Sequence, residues 1–179
     1  MDELRNEEYR QFIIVFLLFV YFLFILSDYT FTVVKGKSMS PTFNEGDRII
    51  IKRVNMNEIR RFDIIVFKDS EENKYYIKRV IGLPGDNIII RNHNEIFVNN
   101  HKIKNLTINK DVEYDLYMFS QFVDFKEFEI PKGEFFVLGD NRDNSKDSRQ
   151  MGTISFEQVE GIGAYVYWPL EKMKILDSK

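Results

Sequence analysis

Three short segments of this chain carry residues whose types could perform chemistry. They are GKSMSPT at 36–42, YIKRVI at 76–81 and GDNRDNSKDSR at 139–149. A serine beside glycine and proline is most often part of a turn. A serine hydroxyl is also a nucleophile when a nearby base removes its proton. The first segment therefore offers Ser38 as a candidate nucleophile, with turn formation as the alternative.

The second segment offers a candidate base. On a strand, alternation places Lys78 on one face with Tyr76 and Val80, which are largely apolar neighbours. Such a lysine commonly lies at an edge or extends its amine to water. If it is instead buried, desolvation lowers its pKa and the neutral amine can accept a proton from a serine. A base that works near neutral pH needs the pKa lowered by about 2–3 units.

The third segment is dense in Asp, Asn, Ser and Arg. Such composition is typical of a solvated loop or a calcium loop, but the calcium spacing D-x-[DN]-x-[DN]-G fails in every register and no closing Glu is present. Alternating acids and arginines predict a loop held by ion pairs and side-chain hydrogen bonds.

Composition narrows the function classes. The 179 residues carry a formal net charge of −3, which makes nucleic acid an unsuitable partner. Cysteine is absent, so disulfides, thiolate metal sites and cysteine nucleophiles are excluded. The two histidines, His93 and His101, belong to no HExxH-type pattern, and we expect neither a metal nor a cofactor.

An apolar segment near the N-terminus predicts a membrane anchor. The unbroken apolar run at 12–26 covers only ~22 Å of a ~30 Å hydrocarbon core. We expect residues 27–34 to supply the missing length, with Asp28 near an interface. A cleaved signal peptide and a buried core helix are the alternatives, but the leader is acidic, no Ala-x-Ala site follows, and the run has no polar stripe. Flanking Arg and Lys balance, so charge does not set the orientation.

The remaining chain predicts a mainly β fold. Short β-type runs separated by turns begin at residue 31, and we expect one catalytic domain over 31–179 after a tail at 1–11 and an anchor at 12–30. A more polar stretch at about 92–131 is expected to be an insertion or cap. The expected strands are Arg48–Val54, Phe62–Phe67, Tyr75–Leu83, Asn87–Arg91, Ile96–Val98, Phe135–Leu138 and Ile162–Trp168. Turns are expected at 83–86 and 99–100, and a single helical turn from Ser155 that Gly161 ends.

Taken in order, these segments resemble the type I signal peptidase family. The match lies in SMSPT, YIKRVIGLPGD and GDNRDNSKDSR, with RRFDIIVF and the closing GIGAYVYWPL also similar, over about residues 10 to 170. In RRFDIIVF, Phe62 occupies a position where the family usually has Gly. After Arg149, the chain lacks the aromatic residue often found before Gly152, where we expect a packing change. The resemblance implies the family's antiparallel β-sheet core behind one transmembrane helix.

The resemblance also implies roles for individual residues. Ser38 becomes the nucleophile, Lys78 the general base, and Ser145 a hydroxyl that hydrogen-bonds and orients the lysine amine. The backbone N–H of Ser38 becomes an oxyanion donor, while Gly36 occupies the position where some members carry a second, side-chain donor. The implied ion pairs join Asp140 to Arg79 and Asp147 to Arg149. The residues implied to line shallow pockets for small substrate side chains are Val34, Met39, Phe43, Tyr76 and Ile77.

The function implied is a membrane-bound serine endopeptidase that removes signal peptides from exported preproteins after small residues, in the Ala-x-Ala manner. Its partners are then preprotein signal peptides and membrane lipid, and its catalytic domain lies outside the cytoplasm. A self-cleaving repressor with Ser-Lys chemistry is an alternative, but it needs a DNA-binding domain where this chain has an anchor. A catalytically silent relative is another, although both candidate residues are intact. The sequence does not distinguish general secretory preproteins from a dedicated set of substrates, such as pilins.

Overall fold

The structure is a computed structural model that describes residues 2–69, 72–91, 95–103 and 127–175. It forms two compact units, one ending at Thr30 and the other beginning at Phe31. The helices are α1 (Asp2–Leu26) and α2 (Ser148–Met151). The strands are β1 (Tyr29–Val33), β2 (Arg48–Lys52), β3 (Ile64–Asp69), β4 (Lys74–Gly82), β5 (Asn87–Arg91), β6 (Glu95–Val98), β7 (His101–Lys102), β8 (Phe128–Glu129), β9 (Glu134–Leu138), β10 (Ile154–Ser155), β11 (Val159–Trp168) and β12 (Lys174–Ile175).

Helix α1 is the one helix in the described chain that is long and apolar enough to cross a membrane. Its segment Tyr9–Leu26 has a mean hydropathy of 2.2 and none of it is buried. The helix ends at Leu26 and β1 begins at Tyr29, so residues 27–34 do not extend the apolar helix as expected. The aromatic and β-branched residues of YTFTV favour a strand over a helix. The segment that is long and apolar enough to span a membrane begins at Tyr9 and ends with the helix.

The strands form two sheets. The larger follows the order β1-β2-β11-β3-β4-β9-β10, with β12 paired to β11, and the smaller follows β7-β6-β5-β8. Every pairing whose register is defined is antiparallel. The prediction of a mainly antiparallel β fold preceded by an apolar helix is confirmed.

The position of β4 inside the larger sheet explains the environment of the candidate base. Lys78 lies opposite Ile65 of β3, and Arg79 lies between Ile64 of β3 and Leu138 of β9. Because β4 has a neighbour on both sides, its side chains meet packed sheet faces and not an edge. Only 1% of Lys78 is exposed. Lys78 is therefore buried, and its amine does not extend to water from a sheet edge.

Each predicted strand overlaps a strand of the structure, although most strand ends differ by one to three residues, and the predicted turns are present. Gly85 in the 83–86 turn has φ 84°, and Asn99 and Asn100 have φ 51° and 65° at the turn between β6 and β7. The single helical turn after Ser155 is present over Phe156–Gln158, where the Ser155 hydroxyl accepts from the Glu157 N–H. Gly161 does not end it, because the turn closes at Val159 and Gly161 lies within β11.

The polar stretch at about 92–131 is described only in part. Its described residues supply β6, β7 and β8, which pair in the smaller sheet with β5. Residues 104–126 lie outside the described residues. The assignment of the stretch as an insertion or cap therefore stays a prediction.

Phe62 occupies the position where the resemblance expects glycine, and its backbone explains that expectation. Its φ is 76°, in the left-handed region that favours glycine. Two contacts support this conformation. The Phe62 ring packs against the buried cluster that includes Ile81 and Leu138, and its carbonyl accepts from Arg79 Nη1 at 2.8 Å.

Candidate active site

The serine segment and β4 bring a hydroxyl and an amine into direct contact. Lys78 Nζ donates to Ser38 Oγ at 2.9 Å and to the backbone oxygen of Ile77 at 3.0 Å. The two residues are 40 positions apart in the chain, so the contact is tertiary. Ser38 is half-buried, which leaves part of it open to solvent while the amine is enclosed. This pair has the geometry of a nucleophile and its base.

Burial sets the protonation of the amine. It lowers the pKa of Lys78 from 10.5 to about 8, while the charges of Asp147 and Asp140 act in the opposite direction. In the described chain no ion pair to Lys78 is recorded. The Tyr76 ring has its centroid 5.3 Å from the amine, in the apolar surroundings that the strand alternation predicts. The lowered pKa lies in the range that a base working near neutral pH requires.

A buried ion pair connects β4 to the 139–149 loop. Arg79 Nε and Nη2 donate to the two oxygens of Asp140 at 2.8 and 2.7 Å. The same carboxylate accepts from Thr42 Oγ1 at 2.5 Å. Asp140 therefore joins the lysine strand to the serine segment, a link through Thr42 that the sequence reading missed. The only sequence feature that pointed to this link was a side-chain hydroxyl four residues after Ser38.

A second ion pair shapes the loop itself. Arg149 Nε and Nη2 donate to the two oxygens of Asp147 at 2.8 and 3.0 Å. Asp147 is fully buried and also accepts from the backbone N–H of Gly139 at 3.0 Å. Both oxygens of this carboxylate therefore accept hydrogen bonds from residues of the same loop. Both ion pairs lie where the motif resemblance places them.

Gly139 marks the closest approach between this loop and the serine segment. A Cβ at this position would lie 2.2 Å from Ser145 Oγ and 2.6 Å from the backbone oxygen of Ser38. Both distances are far shorter than a van der Waals contact, so only glycine fits without displacing its neighbours. The loop therefore lies directly against the backbone of Ser38.

Ser145 does not make the hydrogen bond that the resemblance implies. Its Oγ is buried and has no hydrogen-bond partner within the described residues. The amine of Lys78 is instead oriented by Ser38 and Ile77. A buried hydroxyl without a partner is costly, so a group that reaches it under working conditions is expected.

The serine segment is held by a residue that the sequence reading did not single out. Asn141 donates its backbone N–H to the Ser38 oxygen at 3.0 Å and its side-chain amide to the Lys37 oxygen at 3.1 Å. Gly36 has φ 80°, a conformation suited to glycine, and it contributes no side-chain donor. Asn141 lies within a quoted motif, but nothing in its residue type distinguished a structural contact from a solvated loop position.

The five predicted pocket residues do not share one surface. Val34, Met39 and Phe43 belong to one buried cluster, with Ile77 packed against it. Tyr76 packs in a different cluster and stacks on Phe67 at 5.8 Å. Phe43 is 0% exposed, so it cannot line a pocket directly and can only support the residues in front of it. Its large apolar side chain explains this burial, since the core takes such residues first.

An exposed group of charges connects the loop to the tip of the β3–β4 hairpin. Glu72 accepts from Lys74 Nζ at 2.9 Å, from Tyr76 Oη at 3.0 Å and from Lys146 Nζ. The hydrogen bonds from Lys146, Lys74 and Tyr76 lower the pKa of Glu72 to about 2. This contact gives the loop one more attachment to the hairpin that contains Lys78.

Comparisons with known proteins give a consistent result. Residues 7–168 match the family described as signal peptidase, peptidase S26. Signal peptidase I of Bacillus caldolyticus is 37% identical over 178 residues, which cover 95% of this chain and 94% of that protein. Signal peptidase IB of Staphylococcus aureus strain COL is 34% identical over 169 residues, covering 88% and 86%. A crystal structure of a signal peptidase I from Enterococcus faecalis is 29% identical and covers 58% of this chain and 95% of that chain, with a TM-score of 0.45.

Proposed function

This chain belongs to the signal peptidase family, peptidase S26, and is a serine peptidase that removes signal peptides from preproteins; we propose that it does so with Ser38 as nucleophile and Lys78 as general base. The observation that supports this dyad is the 2.9 Å contact between Lys78 Nζ and Ser38 Oγ. A buried amine with a pKa of about 8 can accept the hydroxyl proton as the serine attacks.

The proposed reaction follows from the two groups. Lys78 Nζ takes the proton of Ser38 Oγ, and the oxygen forms a bond to the carbonyl carbon of the scissile peptide. The carbonyl electron pair moves onto its oxygen, where the backbone N–H of Ser38 stabilises the charge. When the tetrahedral species collapses, the lysine ammonium returns the proton to the departing amine. Water then cleaves the acyl-serine ester by the same steps, and no metal or cofactor takes part.

Ser145 is the proposed orienting group for the neutral amine. A neutral lysine has two N–H groups and one lone pair. In the neutral form the 2.9 Å contact is reversed, and the Ser38 hydroxyl donates to the lone pair. With one N–H donated to the Ile77 oxygen, the contacts among the described residues leave the other N–H without an acceptor. The buried, unpartnered Oγ of Ser145 is suited to accept it. Arg79, Asp140, Asp147 and Arg149 hold the surrounding loop and do not touch the reacting atoms.

Specificity for small side chains before the cut is part of the proposal. Val34 and Met39 are almost fully buried in one packed cluster, so the surface they support cannot deepen without loss of core packing.

Gly36 leaves the Ser38 N–H as the proposed oxyanion donor, without a side-chain hydroxyl beside it.

Peptides that differ only in the residue preceding the cut test this specificity. A peptide with Ala there is expected to be cleaved, and the matched Leu and Phe peptides to be cleaved at least ~100-fold more slowly, because their side chains must displace packed atoms. Mass spectrometry of the products gives both the rate and the cut position. Equal kcat/KM for Ala and Leu would reject the shallow-pocket proposal, while leaving the dyad untouched.

The orientation of the chain in the membrane is also proposed. Helix α1 is a suitable anchor, and signal peptides emerge on the extracytoplasmic side, so we place residues 31–179 there. Protease added to spheroplasts is expected to degrade this domain without lysis. Degradation only after lysis would reverse the orientation. A cytoplasmic protein followed in the same samples controls for leakage.

A further inference from the structure

Asn141 donates hydrogen bonds to the carbonyl groups of both peptide bonds that flank Ser38. Asn141 donates its backbone N–H to the Ser38 oxygen at 3.0 Å, and its side-chain Nδ2 donates to the Lys37 oxygen at 3.1 Å. The Lys37 oxygen also accepts from the Ser40 N–H at 3.1 Å within the turn. The turn therefore shapes this segment locally, while Asn141 fixes it to a second segment more than 100 residues away.

The side-chain contact acts on the peptide unit that contains the Ser38 N–H. The Lys37 carbonyl and the Ser38 N–H belong to one planar trans unit, in which they point in opposite directions. When Asn141 holds the carbonyl on the loop side, the N–H is directed away from the loop. A bond at one end of a rigid plane thus sets the direction of the donor at the other end.

We propose that Asn141 is a positioning residue that sets the direction of the Ser38 N–H as an oxyanion donor. This inference rests on the proposed function, because it requires Ser38 to be the nucleophile. Asn141 donates to the peptide units beside Ser38, and no contact of it with the Lys78 amine is recorded in the described chain. Its effect therefore falls on the stabilisation of the transition state and not on the protonation of the base.

Kinetics of the full-length enzyme in membranes or detergent, with Asn141→Ala, test this role. We expect kcat to fall about five- to tenfold, the size of one lost neutral hydrogen bond, because the oxyanion exists only in the transition state. KM is expected to stay within about twofold. The inflection in the pH profile of kcat/KM is expected not to move, because Lys78 keeps its burial and its contacts.

A matched control is Asn144→Ala, in the same loop. Asn144 is exposed, and no side-chain hydrogen bond of it is recorded within the described ranges. Asn141→Asp keeps the size and the backbone N–H but removes the amide donor. If Asn141→Ala does not fold, the same test applies to Asn141→Asp, in which kcat is expected to fall while KM stays within about twofold. An equal loss in Asn144→Ala would indicate general loosening of the loop and overturn the proposal.

Other outcomes also count against the proposal. Unchanged kcat in folded Asn141→Ala, a rise in KM alone, or an upward shift of the pH inflection each overturns it, because each places the effect elsewhere. Failure of the proposed function has a different signature. Turnover by folded Ser38→Ala removes the premise, whereas inactive Ser38→Ala beside unaffected Asn141→Ala removes only the positioning role.

Discussion

Replacing Ser38 by alanine is expected to abolish cleavage while the protein stays folded. The change removes the only atom proposed to attack the substrate, and losses of such nucleophiles are roughly 10⁴-fold or more. The hydroxyl is half-buried and accepts one recorded side-chain hydrogen bond, so its loss disturbs little of the core. Release of a mature product from a purified preprotein, followed by mass spectrometry, measures the activity, and thermal unfolding measures the fold.

Ser40→Ala is the matched control for this experiment. Ser40 lies in the same turn, and its hydroxyl contacts only Asn44, at 3.3 Å, among the recorded bonds. We expect near-normal turnover, because this hydroxyl does not contact Lys78. Cleavage at the wild-type rate by folded Ser38→Ala protein would show that another residue is the nucleophile.

The activity of the wild-type enzyme is expected to rise as pH increases through about 8. Burial disfavours the ammonium form of Lys78 and lowers its pKa to about 8, so the proton is lost well below the ordinary lysine range. At pH 7 only ~10% of such an amine is neutral, and at pH 9 ~90% is. Because the neutral form is the base, kcat/KM is expected to increase over this interval and then level off. Initial rates on a peptide substrate between pH 6 and 10 give the inflection.

Lys78→Arg is expected to be inactive at every pH in that interval. Guanidinium stays protonated, so the charge is kept while the base is lost. Lys35→Arg, at an exposed position, is the matched control and should preserve both rate and pH profile. Measurable turnover in folded Lys78→Arg would assign the proton transfer to another group.

The pairing of Ser38 with Lys78 could be proposed from sequence because three motifs in the right order resemble those of one family. Strand alternation placed Lys78 beside apolar neighbours. The acid–arginine pattern of the loop predicted ion pairs in general, and the resemblance implied which residues form them. Local spacing accounts only for the strand face of Lys78 and for the Asp147–Arg149 pair, because Ser38 and Lys78 lie 40 positions apart and Arg79 and Asp140 lie 61 apart.

Features that depend on packing between distant segments could not be predicted from the sequence. The burial of Phe43 and the separation of Tyr76 from the other pocket residues result from how the sheet faces pack. The unpartnered Ser145 hydroxyl and the Asn141 contacts depend on the position of a loop relative to a turn. The end of α1 at Leu26 was mispredicted because apolar aromatic residues suit both a membrane helix and a strand.

The contacts of the candidate site join segments that are distant in the chain, and this affects the order in which the site forms during synthesis. The contacts that join Ser38 to Lys78, Arg79 to Asp140, and Thr42 to Asp140 span 40, 61 and 98 residues. A nascent chain that has just completed β4 already contains both members of the proposed dyad. It lacks the carboxylate that joins their two segments, and long-range closure of this kind is slow. We therefore expect the candidate site to be complete only when the 139–149 loop has emerged and folded.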